Sequence, residues 1–336
     1  MSSPGSRDGA FDFVKGILVL LMVVYHVMNI MSTATFEDFR YIRFISGSFI
    51  FISGFILGRF SQQGIARDPL AASWRLIVRG LRLVAIFTML NMLIYSLGVG
   101  NADKLQGGQG NFWSHAGSIY LRGDWKITSF FILLPIGYLL ALAPALLVVG
   151  SLGQRKIALP MLVGFVTLAA IPSVTDQSSV IEFLLVGACG LSAGLLALSS
   201  WKLTGPLRFG AVPALAALAV SVWFAGRFCE NIATYTIGLG LIVKFLYDLA
   251  PADPTRSMHA RLIVQLGRYS LVSYIGQIIL IHALAHFVTR QRSPLGLGTA
   301  VSCLLIGALL LASCSALDRL RARSTLIDRG YRLIFS

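Results

Sequence analysis

The sequence has few charged residues for its length, and acidic residues are especially scarce. Only 12% of the 336 residues are charged, and 14 aspartates and glutamates stand against 28 lysines and arginines. A water-soluble protein of this length carries about twice that share of charge, so the composition excludes a soluble globular enzyme. Apolar residues make up 56% of the chain and come in blocks long enough to cross a bilayer. The composition therefore predicts an all-α, multi-pass membrane protein.

Cysteine, repeats and hydrophilic segments are also scarce. The four cysteines show neither a metal-binding spacing nor a disulfide framework. There is no internal repeat, no low-complexity segment and no signal peptide with a small-residue cleavage site. We therefore expect the first apolar run to be a retained span, and residues 1–336 to form one membrane domain without a separate soluble domain.

Ten apolar runs of spanning length predict a polytopic bundle of about ten transmembrane helices. If the spans alternate, 20 of the 28 basic residues fall on one side of the membrane. Basic loops stay in the cytoplasm, so both termini are expected there and the loop 100–127 outside. Because the charge is spread over short loops, we expect the lipid bilayer, and no nucleic acid, as a partner. The runs are 14–32, 43–60, 82–99, 128–149, 157–173, 180–199, 209–225, 232–250, 267–288 and 295–316.

Two ionisable residues in the first run are the most informative pair in the chain. Lys15 and His26 are eleven residues apart, close to three helical turns, so they lie on about one face and roughly 16 Å apart along the axis. If Lys15 lies at the membrane surface, His26 lies near the midplane, where an ionisable group indicates a functional site. The alternative is a neutral histidine that is hydrogen-bonded to a neighbouring helix.

Three arginines open the third run with spacings of four and three. Arg75, Arg79 and Arg82 therefore share one helical stripe on the cytoplasmic side. Guanidinium groups bind phosphate oxygens in pairs, which suits a polyphosphate ligand. The alternative is an ordinary basic anchor that contacts lipid head groups.

Small and polar residues recur in two further runs. Gly54 and Gly58 form a small-xxx-small pair in the second run, which predicts close helix packing. In the ninth run, Ser270, Tyr274 and Gln277 share a helical face and predict a polar seam that points into the bundle. His282 and His286 are four residues apart near the outer end of that run, but no third ligand accompanies them, so no metal site is predicted.

Four local patterns, taken in order, resemble the acyltransferase-3 family of multi-span membrane acyltransferases. The family's first-helix pattern is a basic residue, ten residues and a histidine, which matches Lys15 and His26 with Asp12 before them. The other three patterns match Arg79 with Arg82, Ser53-Gly54-Phe55, and Leu266-Gly267-Arg268-Tyr269-Ser270-Leu271 followed by Tyr274.

The resemblance implies a bacterial inner (cytoplasmic) membrane enzyme that moves an acetyl or succinyl group from cytoplasmic acyl-CoA to an extracytoplasmic glycan or glycolipid. It implies envelope polysaccharide machinery as a partner, and the residue spacing described above predicts no metal cofactor. His26 would be catalytic, as the general base on the acceptor hydroxyl or as a covalent acyl carrier. Arg79 and Arg82 would bind the donor, and Lys15 would either bind the donor or pair with Asp12. The supporting residues would be Asp12, Arg75, Ser53, Ser270, Tyr274 and Gln277.

The sequence departs from the family at one motif and leaves one alternative function open. Many relatives carry a histidine after the late tyrosine, where this chain has Ile275-Gly276-Gln277. We also expect these 336 residues to lack the fused esterase-like domain that some relatives carry. A transporter or flippase for an anionic lipid-linked sugar is the alternative function, since ten spans and cytoplasmic arginines also suit it. The lack of repeated halves argues against that alternative.

Overall fold

The computed structural model of the protein is built of helices. It describes residues 8–31, 44–96, 112–123, 128–153, 155–169, 171, 178–196, 219, 232–251, 253, 257–288 and 297–335. In these residues there is no β-strand, so the predicted all-α class is confirmed.

Twelve α-helices can be followed through the described residues, together with two short turns of other helix types, a 3-10 turn at Phe112–His115 and a π turn at Ser118–Arg122. The α-helices are α1 (Gly9–Met31), α2 (Phe44–Phe60), α3 (Gln62–Arg67), α4 (Pro69–Ser96), α5 (Leu133–Gly153), α6 (Arg155–Ala169), α7 (Ser179–Leu196), α8 (Ile232–Leu249), α9 (Met258–Arg268), α10 (Ser270–Val288), α11 (Leu297–Arg323) and α12 (Thr325–Phe335).

Six candidate membrane spans occur in the described part of the chain. They are α1, the run Phe44–Arg67 that joins α2 and α3, and α4, α7, α8 and α11. Three shorter apolar segments lie in α5, α6 and α10. These nine overlap nine of the predicted runs, whereas the run 209–225 lies outside the described residues except for residue 219. A multi-pass membrane protein follows, while a total of ten spans and cytoplasmic termini stay predictions.

The chain divides into two compact units. The first contains residues 1–45, 202–226 and 241–336, and the second contains 46–201 and 227–240. The first unit therefore holds α1, the second half of α8, and α9 to α12. The second unit holds most of α2, and α3 to α7. A single membrane domain over the whole chain stays a prediction.

In the first unit, α1 and α9 touch through their backbones. A Cβ added to Gly267 would lie 1.7 Å from the carbonyl oxygen of Asp12, and one added to Gly16 would lie 1.9 Å from that of Ile263. Only glycine permits such an approach. On the C-terminal side of this contact along α1, helices α1, α10 and α11 share an apolar core that includes Val23, Ile281 and Leu310. The glycine contact thus sets the position of α9, and of the helix that follows it, along α1.

In the second unit, glycines bring α2 against α7. A Cβ on Gly54 would lie 2.0 Å from the carbonyl oxygen of Gly187, and one on Gly58 would lie 2.1 Å from that of Leu191. Gly190 contacts the backbone of Phe51 in the reverse sense. The close packing predicted from the small-xxx-small pair is confirmed, and its partner is α7.

Gly267→Ala is expected to destabilise the protein by about 1–3 kcal/mol, because the new methyl group overlaps backbone atoms of α1 that cannot move independently. Thermal unfolding of the purified protein in detergent measures the effect. Gly164→Ala on α6 is the matched control, since nothing lies within 4 Å of its added Cβ. Equal unfolding temperatures for the two variants would show that the α1–α9 contact is looser than described.

Candidate functional site

Helix α1 carries the first part of the candidate site. It is continuous from Gly9 to Met31, so the eleven residues from Lys15 to His26 keep their helical separation of about 16 Å. Asp12 is 3% exposed, and its Oδ1 lies 3.0 Å from Nζ of Lys15. The sequence suggested that Lys15 either binds the donor or pairs with Asp12. The structure shows the pair with Asp12, and donor binding by Lys15 stays a prediction.

His26 is half-buried on α1. Its ring meets the ring of Tyr25 edge-on, with 5.0 Å between centroids, and it interacts electrostatically with His282 on α10. No hydrogen bond joins His26 to another residue that the structure describes. The sequence also suggested that His26 is hydrogen-bonded to a neighbouring helix. No described residue makes such a bond.

Helix α10 presents its polar residues to the inside of the first unit. Tyr274 is 7% exposed and Gln277 is fully buried, whereas Ser270 is half-buried. Ser273, which is not part of the predicted seam, is also fully buried, and its hydroxyl lies 3.3 Å from Sγ of Cys314 on α11. The predicted polar seam is thus present at Tyr274 and Gln277.

Three buried side-chain atoms of α10 have no hydrogen-bond partner among the described residues. They are Nε2 and Oε1 of Gln277 and Nε2 of His282. The sequence predicts that His282 lies near the outer end of its span, and this depth stays a prediction. The side chain of His286, the other half of the pair considered for metal binding, lies outside the described residues.

The arginine stripe lies in the second unit, on α4. Asp68 caps this helix, since its side chain accepts a hydrogen bond of 3.0 Å from the backbone N–H of Ala71, and Pro69 occupies the first helical position. α4 therefore begins well before the predicted run, and all three arginines lie within it. Arg75 and Arg79 are exposed, and Arg82 is half-buried.

The stripe is not neutralised by any carboxylate in the described chain, and Arg79 and Arg82 repel each other electrostatically. Gly80, between them, packs against α5, where its added Cβ would lie 2.5 Å from the carbonyl oxygen of Gly137. This contact fixes the backbone that carries the guanidinium groups. A concentration of uncompensated positive charge on a fixed helix attracts anions.

Ser53 differs from the other candidates. Its hydroxyl donates a hydrogen bond of 2.7 Å to the carbonyl oxygen of Phe49 in the same helix. A serine bonded in this way satisfies its own polar group in an apolar setting. The structure shows Ser53 hydrogen-bonded within α2, and its supporting role in the site stays a prediction.

The structure groups the predicted site residues into two sets. The first unit holds Asp12, Lys15, His26, Ser270, Tyr274 and Gln277, and the second holds Ser53, Arg75, Arg79 and Arg82.

A family model described as an acyltransferase domain matches residues 8–317, nearly the whole chain. The chain belongs to the acyltransferase-3 family. A search of curated proteins finds no match. The family and the apolar helices together make the protein a multi-pass membrane acyltransferase, an enzyme that transfers an acyl group from a donor to an acceptor.

Within the part of this acyltransferase that the structure describes, no three histidine, cysteine or acidic side chains are grouped so that they could hold a metal ion.

A polar network near the C-terminus of the acyltransferase, which the sequence did not reveal, connects α11 and α12 to Tyr269. The hydroxyl of Tyr269 donates a hydrogen bond of 2.5 Å to Asp318 and accepts one of 3.1 Å from Arg321. Arg321 also donates to Asp328 of α12 at 2.7 Å, and this hydrogen bond lowers the pKa of Asp328. The network ties α12 to the junction of α9 and α10, and hence to the family motif at Tyr269.

Proposed function

We propose that this acyltransferase moves an acetyl or succinyl group from cytoplasmic acyl-CoA to a hydroxyl group of an extracytoplasmic glycan or glycolipid, in a bacterial inner membrane. The observation that carries the proposal is His26, a histidine within a membrane-spanning helix of a family acyltransferase that makes no hydrogen bond to the described residues. An imidazole without a hydrogen bond to the described residues can exchange a proton with a substrate.

The proposed reaction is a direct transfer. The hydroxyl oxygen of the acceptor bonds to the carbonyl carbon of the thioester, and its proton passes to a ring nitrogen of His26. The carbon–sulfur bond then breaks, and the departing thiolate takes the proton from the imidazole. The products are an O-acyl ester and free CoA, and the histidine returns to its neutral form. A covalent acyl-histidine intermediate is the other route by which His26 would react.

The donor is proposed to be acyl-CoA because it carries several phosphate groups and is made in the cytoplasm. Arg79 and Arg82 are proposed to bind these phosphates, and Arg75 to extend the same stripe. Support comes from the lack of described carboxylates beside the stripe and from its rigid attachment at Gly80. Envelope polysaccharide machinery is the proposed source of the acceptor. Membership of the family favours this enzyme over the transporter alternative.

His26→Ala is expected to lower turnover by about 10²–10⁴-fold, because it removes the proposed general base. Release of free CoA from acyl-CoA by the purified protein, with and without acceptor, measures turnover. His259→Ala is the control, since His259 is an exposed histidine on α9. Turnover by the His26 variant within a few-fold of the parent would remove His26 from the chemistry.

Arg79→Gln and Arg82→Gln are each expected to weaken acyl-CoA binding by about 1.5–3 kcal/mol, roughly 10- to 200-fold, through loss of a charge-assisted hydrogen bond. Titration of the purified protein with a non-hydrolysable acyl-CoA analogue gives the dissociation constant. Arg67→Gln, an exposed arginine on α3 outside the stripe, is expected to bind normally. Unchanged affinity together with lost turnover would assign the arginines to the reaction instead.

The orientation of the protein is testable with single cysteines, after the four native ones are replaced. Ala66→Cys on α3 and Ser114→Cys in the loop 100–127 are both exposed positions. Because basic loops stay inside, an impermeant maleimide is expected to label residue 114 in right-side-out spheroplasts, and residue 66 only after lysis. Labelling of residue 66 from outside would separate the arginines from cytoplasmic acyl-CoA and contradict the proposed donor.

A further inference from the structure

Gln277 is a fully buried amide whose two polar atoms lack a partner in the described structure. The chain contains a matched contrast. Asn91 on α4 is also buried, but its amide nitrogen donates to the carbonyl oxygen of Phe87 at 2.9 Å and its oxygen accepts from the backbone N–H of Ser129 at 2.8 Å. A buried amide is normally satisfied in the way Asn91 is.

Packing gives no reason for an amide at position 277. Its neighbours along the buried side of α10, Ile278 and Ile281, are apolar and almost fully enclosed. A leucine or methionine of similar volume would avoid the free-energy cost of burying two unsatisfied polar atoms. Buried polar groups without a partner are rare in folded proteins and need an explanation. One explanation is that the partner of the amide is a substrate, which is absent when the site is empty.

The position of Gln277 along α1 follows from two contacts. Gly267, just before α10, touches α1 at Asp12, and Ile281 of α10 lies in one apolar cluster with Val23 and Val27 of α1. α10 therefore runs in the same direction as α1. Gln277 precedes His282 by five residues, which places it about 7.5 Å nearer to the Lys15 end of the unit.

This position suits a donor that enters from the Lys15 end. Its acyl group must reach His26 to react, and on the way it comes alongside Gln277. The carbonyl oxygen of a thioester gains negative charge when a hydroxyl attacks, and a fixed N–H donor stabilises that charge. A side-chain amide is such a donor.

We propose that Gln277 donates a hydrogen bond from Nε2 to the carbonyl oxygen of the acyl group during transfer. The inference rests on the proposed function, in which His26 takes the proton of the acceptor hydroxyl as the oxygen bonds to the carbonyl carbon. The amide stabilises the resulting oxyanion until the carbon–sulfur bond breaks, and it exchanges no proton. Gln277 is then a catalytic residue of α10 that acts together with His26 of α1.

Gln277→Leu tests the proposal, because it removes the donor and keeps the volume. Turnover of acetyl-CoA and succinyl-CoA by the purified protein is expected to fall about 10²–10³-fold, with KM for the donor changed less than about three-fold. The unfolding temperature is expected to stay equal or to rise, since an unsatisfied amide is lost. Asn91→Leu is the control, and it is expected to unfold at a lower temperature because it leaves a backbone N–H without its acceptor.

A structural role for the amide would give a different result. It predicts a lower unfolding temperature for Gln277→Leu, as for Asn91→Leu, and this result would overturn the proposal. If the leucine variant does not fold, Gln277→Met is judged by the same two measurements, and failure of both variants to fold would also overturn it.

Parallel assays of the parent and of His26→Ala show whether a failed prediction concerns only the role of Gln277 or the proposed acyl transfer as a whole. If both show the expected activities and Gln277→Leu keeps full turnover, the role of Gln277 is wrong while the proposed function stands. If the parent releases no CoA from either donor, the proposed function fails and this inference fails with it.

Discussion

The backbone contact between α1 and α9 is the constraint on which the candidate site of the first unit depends. Gly16 and Gly267 let the two helices approach until main-chain atoms touch, and no side chain remains between them to allow sliding. Packed backbones of this kind have one register, because any shift would drive a Cβ into the neighbouring helix. The register in turn places α10 alongside α1, where Ile281 lies in one apolar cluster with Val23 and Val27.

Polar side chains in an apolar bundle divide into two kinds here. Most satisfy themselves locally: Ser53, Thr88 and Ser192 donate to the carbonyl oxygen four residues earlier in their own helix. Such residues cost little and need no ligand. Gln277 and His282 are different, because both polar atoms of the Gln277 amide and Nε2 of His282 are buried and lack a described hydrogen-bond partner. Polar groups that a fold leaves unsatisfied are more informative about function than those it satisfies.

Several groupings of the candidate site residues could be predicted from the sequence, because each depends on residue spacing within a single helix. Lys15 and His26 are separated by a whole number of turns, and the arginines recur at spacings of four and three, so each set shares a face in any regular helix. The pairing of Lys15 with Asp12 follows from the same rule at a spacing of three. By contrast, the packing of α10 against α1 could not be predicted from spacing, because it follows from the crossing of α1 and α9 at Gly267.

The sequence by itself determined the all-helical class, the membrane setting, the family and the residues that share a helical face, because each depends on composition or on spacing within one helix. The tertiary structure decided which helices touch. It paired α2 with α7 and α1 with α9, left the amide of Gln277 without a partner, and revealed the network around Tyr269 and Arg321. These features depend on interhelical register. Glycine contacts set that register, and spacing along a single helix carries no information about the helix on the other side of the contact.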